Sequence, residues 1–178
     1  EGLKDKKELN IELDKKKNIL ESIGIKTSEL SSELVTSEFN TNIKELIVDL
    51  DGNIVTGLYH KDLDKVINRQ TGEIKYFNNS NEYLPLFFSE NMNSIIIPIS
   101  GKGLWSSLFG YFALDVENYS TVKGITFYEH GETPGLGAEI TKDWFISSFI
   151  GKEIFLDNQL VSINVAKAGK INKEDINE

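Results

Sequence analysis

An α+β fold, with a mixed or antiparallel central sheet flanked by helices, is predicted by three features of this 178-residue sequence. The strand-like runs "SIIIPIS", "LFGYFALD" and "TVKGITFYEH" follow one another, with only the turn-like segments "GKGLWSS" and "VENYS" between them. Helical periodicity lies to either side, at Leu9, Leu13, Leu20 and Ile23 and again at Ile140, Trp144, Phe145 and Phe149. Strands and helices do not alternate regularly, so a doubly wound parallel sheet fits less well.

Taken in order, residues Lys4 to Ile23 predict an amphipathic helix with a highly charged outer face, stopped at Gly24. It packs one stripe on the domain, continues from a membrane anchor, or does both. A second short helix is expected around Ser28 to Phe39. The run "ELIVDLDGNIVTGLY" then places β-branched stretches on both sides of Asp51-Gly52, which predicts a hairpin. Residues Lys61 to Tyr83 are polar and read as an excursion of loop and short strand. After the three central strands, "AEITKDWFISSFIGK" predicts a helix capped by Gly151. The last strand candidates, "EIFLD" and "LVSINVAK", flank a turn at Asn158-Gln159.

Composition narrows the function. The length suits one domain with a sizeable core. With 19 basic against 28 acidic residues the net charge is −9, which opposes a nucleic-acid partner. Absence of cysteine removes disulfides, thiolate metal sites and thiol nucleophiles together. The longest apolar run, "SIIIPI", is far below the roughly 20 residues a membrane-spanning helix requires. A start at Glu1 without Met suggests that something upstream was removed.

No serine nucleophile elbow, phosphate-binding loop of the nucleoside triphosphatases or dinucleotide fingerprint is present. The two histidines, His60 and His130, have no metal-site spacing, and His60 reads as a surface residue at a strand end. Two glycine-rich loops remain, "SGKGLW" from Ser100 to Trp105 and "HGETPGLG" from His130 to Gly137, each at the end of a strand candidate. Glycines let backbone approach a ligand closely, and Pro134 limits the freedom of the second loop. That loop runs into a predicted helix, whose first amides would favour an anion. Leu104, Trp105 and Leu136 offer apolar walls for a flat ring. The plainer alternative is turn chemistry, with Lys102 a solvated charge, Trp105 a core residue, and Glu132 and His130 engaged in capping or solvent contact.

The ordered motifs "SGKGLWSSLFGYFALD" and "VKGITFYEHGETPGLGAEI", continuing through "WFISSFIGK", resemble the NqrC family of bacterial sodium-translocating NADH:quinone oxidoreductases, within the FMN-binding domain superfamily. The sister family, RnfG of the Rnf electron-transport complex, shares "ETPGLG" but typically has another loop in place of "GKGLW". The resemblance implies an FMN-binding-type domain over residues 27–178, preceded by the N-terminal helix of residues 1–26 and a single membrane anchor. It implies a domain on the periplasmic side of the bacterial inner membrane, working as an electron-transfer subunit with FMN as cofactor. Its partners would be the other membrane subunits and a flavin transferase, with no nucleic acid. The chain alone is not expected to catalyse turnover. The flavin-facing residues implied are Glu132, Thr133, Pro134, Gly135, Leu136 and Gly137, together with Gly103, Leu104 and Trp105. No catalytic side chain and no metal ligand is implied.

In that family FMN is joined through its phosphate to a threonine in a Ser-Gly-Ala-Thr motif near the C-terminus. No such string occurs here, and Thr133 belongs to the glycine loop. The expectation is therefore a domain lacking its attachment segment, with a preformed half of an FMN site. The competing expectation is a non-redox extracytoplasmic binding or interaction domain of the same fold that has lost the motif.

Overall fold

A computed structural model describes residues 2–161 and 163, with side chains from residue 6 onward. Helix α1 spans Gly2–Ser22, α2 Ser32–Asn42 and α3 Asp143–Ser147. The strands are β1 (Lys44–Val48), β2 (Asp64–Ile67), β3 (Ile74–Asn78), β4 (Asn81–Ser89), β5 (Ser94–Lys102), β6 (Ser107–Asp115), β7 (Val122–Glu129), β8 (Phe155–Leu156) and β9 (Gln159–Leu160). Strands β2 to β7 form an antiparallel meander in chain order, and β1 is added against β4. The α+β expectation holds, with an antiparallel sheet.

Side-chain alternation explains where the helices sit. Phe87, Ile96, Ala113 and Gly124 are register partners across β4, β5, β6 and β7, so they form one row on one face. Helix α1 crosses that face. Ile19, Leu20 and Ile23 are buried there with Val35 and Phe39 of α2. Contact is close, because a Cβ added at Gly124 would overlap the Ser22 carbonyl oxygen, and Thr126 Oγ1 donates to the Asn18 carbonyl at 3.1 Å. Gly24, at φ +87°, ends the helix in a Schellman motif in which Ile25 N–H donates to Leu20 O at 3.0 Å. Only the later part of the predicted stripe is used: Leu13 packs partly against the core, and Leu9 is 69% exposed.

Several local expectations need correction. The Asp51-Gly52 turn forms, with Asp49 Oδ1 accepting from the Asn53 N–H at 2.8 Å, but the chain beyond it contributes a single bridge, Val48 to Ile54. The durable partner of β1 is β4, running from Lys44–Phe88 to Val48–Leu84. Residues 61–83 contain β2, β3 and the start of β4, more strand than their polarity suggested. Proline at position 85 is tolerated in β4 where Ile47 lies opposite. The last turn lies one residue earlier than expected, at Asp157 and Asn158, both with positive φ, as a two-residue hairpin between β8 and β9 requires. Most of "LVSINVAK" lies outside the described residues.

The largest departure is the helix expected over "AEITKDWFISSFIGK". Residues Gly137–Thr141 form a 3₁₀ turn, Lys142 is extended (φ −82°, ψ 145°), and α3 is only five residues long. No residue from 137 to 151 is fully buried, so the periodic apolar stripe packs only partly, against β7. A short helix without such burial is marginal in water. The dipole argument for an anion at its start falls with it.

Candidate functional site

Strands β5 and β6 are joined by residues 103–106, and β7 leads into residues 130–137, so adjacent strand ends carry the two glycine loops side by side. One side chain holds them together. Glu132 is 7% exposed, and its Oε1 accepts from the backbone N–H of Trp105 at 3.1 Å, the N–H of Ser106 at 3.0 Å and the Ser106 hydroxyl at 3.2 Å. Burial alone would push this carboxyl up, but the Trp105, Ser106 and Leu104 donors outweigh it and hold it below the usual carboxylate range.

Glycine at 103 and 137 follows from that clasp. A Cβ at Gly103 would overlap Glu132 Oε1, and one at Gly137 would lie 2.5 Å from Oε2, so the carboxylate fits only between two residues without side chains. Ser106 closes the pairing: its Oγ also accepts from Gly131 N–H at 2.6 Å, and its carbonyl accepts from Gly103 N–H at 2.7 Å.

Beyond Glu132 the second loop makes a type II turn. Pro134 and Gly135 occupy its centre, Gly135 has φ +74°, and Leu136 N–H donates to Thr133 O at 3.1 Å. Ala138 N–H reaches the same carbonyl at 3.2 Å. The N–H groups of Gly135 and Gly137 find no acceptor among the described residues. Leu104 (76% exposed), Trp105 (68%) and Leu136 (69%) stand outward on this frame. Trp105 is therefore a surface residue and not part of the core.

The nine residues expected to face a flavin thus separate into two groups. Leu104, Trp105, Thr133, Pro134, Gly135 and Leu136 lie on the exposed side, whereas Glu132, with Gly103 and Gly137 against it, forms the internal clasp. Ser106 was not singled out from sequence, although it bonds to both loops; a serine following a glycine loop carries no distinguishing local signal. His60 is a correction: only 9% of its side chain is exposed, its Nε2 lies 2.7 Å from Leu46 O, and its ring stands edge-on to Phe87 at 4.8 Å. Among the described residues no cluster of metal-ligating side chains occurs, and no helix is long and apolar enough to cross a membrane.

A domain built this way has known counterparts. Residues 103–178, beginning at the first glycine loop, match the family model described as FMN-binding domain. The chain is 32% identical over 189 residues to the NqrC protein of the Na(+)-translocating NADH-quinone reductase of Vibrio anguillarum, covering 94% of this chain and 69% of that protein. It is 32% identical over 184 residues to the corresponding protein of Yersinia pestis, covering 93% and 67%. The crystal structure of NqrC from Parabacteroides distasonis superposes with a TM-score of 0.76 at 29% identity, covering 97% of this chain and 81% of that one. NqrC of Shewanella oneidensis superposes at 0.72 with 26% identity, covering 93% and 81%. The chain belongs to the NqrC family of Na(+)-translocating NADH-quinone reductases.

Proposed function

We propose that this chain is the electron-transfer subunit of a sodium-translocating NADH:quinone oxidoreductase and carries FMN on the loop pair 103–106 and 130–137. The observation that carries this reading is the Glu132 clasp, which presents Leu104, Trp105 and Leu136 on a frame fixed before any ligand arrives. These residues suit an isoalloxazine ring: exposed apolar side chains to cover its faces, and the N–H groups of Gly135 and Gly137 to meet its polar edge. Bound FMN supplies the redox chemistry itself. The chain's own contribution is position and electrostatics. Glu132 brings a negative charge near the site, but the donors it has captured already solvate that charge, which limits its opposition to a reduced, more negative ring.

Covalent attachment through the FMN phosphate would use a threonine in a Ser-Gly-Ala-Thr segment, a string this sequence does not contain. The wider reading places the domain on the periplasmic side of the inner membrane, with the other membrane subunits as partners and a flavin transferase as the attaching enzyme. Turnover belongs to the whole complex. The test is to coexpress the full-length gene product with a flavin transferase and denature it. Yellow flavin retained on the unfolded chain is expected, and a colourless product overturns the reading. A non-redox interaction domain would instead leave FMN fluorescence unchanged on titration.

A further inference from the structure

Away from the loop pair, the sheet carries a break that a short segment closes. Strands β4 and β5 pair from Ser89–Ser94 to Phe87–Ile96, and the next positions facing the same way would set Pro85 opposite Pro98. Neither proline has an N–H to offer, so the ladder stops there and the two strands part. Pro85 stays opposite Ile47 of β1 and Pro98 opposite Tyr111 of β6, so ladders frame the gap on both sides. In the gap lies a cavity of about 90 Å³, walled by Tyr76, Phe87, Pro98 and Tyr111 and stoppered by His60 and Leu63.

The stopper belongs to a lightly held stretch of chain. Val55 N–H donates to Ile47 O at 2.8 Å at one end, and Asp62 O accepts from Asn78 Nδ2 at 2.8 Å at the other. Between them residues 56–61 are exposed except at Leu58 and His60. His60 pins this stretch to β1, with Nε2 at 2.7 Å from Leu46 O. A carbonyl can only accept, so the neutral ring carries its proton on Nε2 and a second proton must enter at Nδ1. That nitrogen lies 3.8 Å from Glu45 Oε1, an oxygen that Lys15 Nζ also approaches to 3.8 Å. One carboxylate would then face two cations, with the charged ring still edge-on to Phe87.

We propose that residues 56–63 form a proton-operated strap: protonation of His60 at Nδ1 releases the stretch from β1 and opens the cavity between Pro85 and Pro98 to solvent, while sheet and helices stay folded. The groups that face the ring are Lys15 of α1, Glu45 of β1 and the phenols of Tyr76 and Tyr111. Glu12 of α1 acts on Tyr111, and exposed Lys61 and Asp62 lie on the strap itself. Burial pushes both phenols up, so they stay neutral where His60 titrates. Burial, with Lys15 adding to it, holds the closed His60 low against the pull of Leu46 O and Glu45, and a released ring returns to its ordinary value of 6.5. The open form therefore binds more protons. Opening grows as pH falls from 6.5, by up to about tenfold per unit, and levels off once the closed ring titrates too.

Amide exchange of the whole chain, followed by NMR between about pH 7 and 5 and expressed as protection factors, tests this. Protection of the Asp62 and Leu63 amides, which donate within the strap to Tyr59 O and His60 O, should fall at least about fivefold, while amides of β5 and β6 keep theirs. Over the same range a soluble paramagnetic probe should begin to broaden the Tyr111 ring protons. His60→Gln cannot take up the proton and should lose the pH dependence of both readouts. Glu45→Gln removes the carboxylate that would receive the proton, and should enlarge the opening near pH 5 by roughly a few-fold. Equal loss of protection in the strap and in β5 and β6 reports global unfolding and overturns the proposal, as does a pH dependence that survives in His60→Gln. The native chain decides even where a variant does not fold: a Tyr111 ring that stays unbroadened while His60 titrates overturns the strap.

Discussion

Glu132 accepts from the Trp105 N–H at 3.1 Å across a separation of 27 residues, and that bond ties the two glycine loops into one surface. Its pH dependence follows from the direction of the shift. The folded carboxyl titrates below its ordinary value of 4.5, so the stabilisation is present above that value and is lost as pH falls through the lower folded one. Exchange protection of the Trp105 amide should therefore persist at pH 7 and be lost as pH falls through the lowered folded value, whereas Glu132→Gln should weaken it at pH 7 and remove this pH dependence. Asp49 and Glu33 are lowered too, so this local amide is a better readout than global stability.

The two glycines beside that carboxylate should resist substitution. Gly137→Ala and Gly103→Ala each force a methyl group against Glu132, an overpacking that typically costs about 1–3 kcal/mol. Denaturant unfolding and FMN titration should both show the loss. Gly135→Ala meets no neighbour and is instead opposed by its positive φ.

Trp105 and Leu136 should behave in the opposite way. Both are largely exposed, so Trp105→Ala and Leu136→Ala should change unfolding stability by no more than about 0.5 kcal/mol. Each should weaken flavin binding by roughly three- to tenfold. Fluorescence titration decides it, and stability loss without an affinity change would place these residues in the packing after all.

His60 gives a second pH signature. Burial pushes its imidazole below the ordinary value of 6.5, against the opposing pull of Leu46 O and Glu45. Between that value and the lower folded one, the unfolded chain binds more protons, so stability should fall as pH drops from 6.5 and level off below the folded value. Comparing denaturant midpoints at several pH values in the native chain and in His60→Gln, which lacks the titrating ring, isolates this component.

Much of the architecture was legible from short-range pattern. The apolar runs rich in β-branched and aromatic residues became β5, β6 and β7, strands of nine, nine and eight residues, and Gly24 ends α1 by a conformation that a glycine supplies locally. The glycine loops were visible for the same reason, since composition and order along the chain carry them. The resemblance of their motifs to a flavin-binding family was likewise a property of sequence alone.

Tertiary structure decided which partner each pattern met. Strand β1 took β4 instead of its hairpin neighbour because Ile47 and Val48 are buried there. The stripe from Ile140 to Phe149 stayed a broken turn: it lies against β7 but none of its residues is fully buried, whereas α1 and α2 cover the row from Phe87 to Gly124. His60, polar and near a strand end, became a core neighbour of Phe87. Glu132 turned inward because the donors that satisfy it lie on another loop, 26 and 27 residues away. Periodicity and turn chemistry act over a few residues and can be read along a chain, whereas burial and hydrogen-bond satisfaction depend on which surfaces meet, and only the folded arrangement settles that.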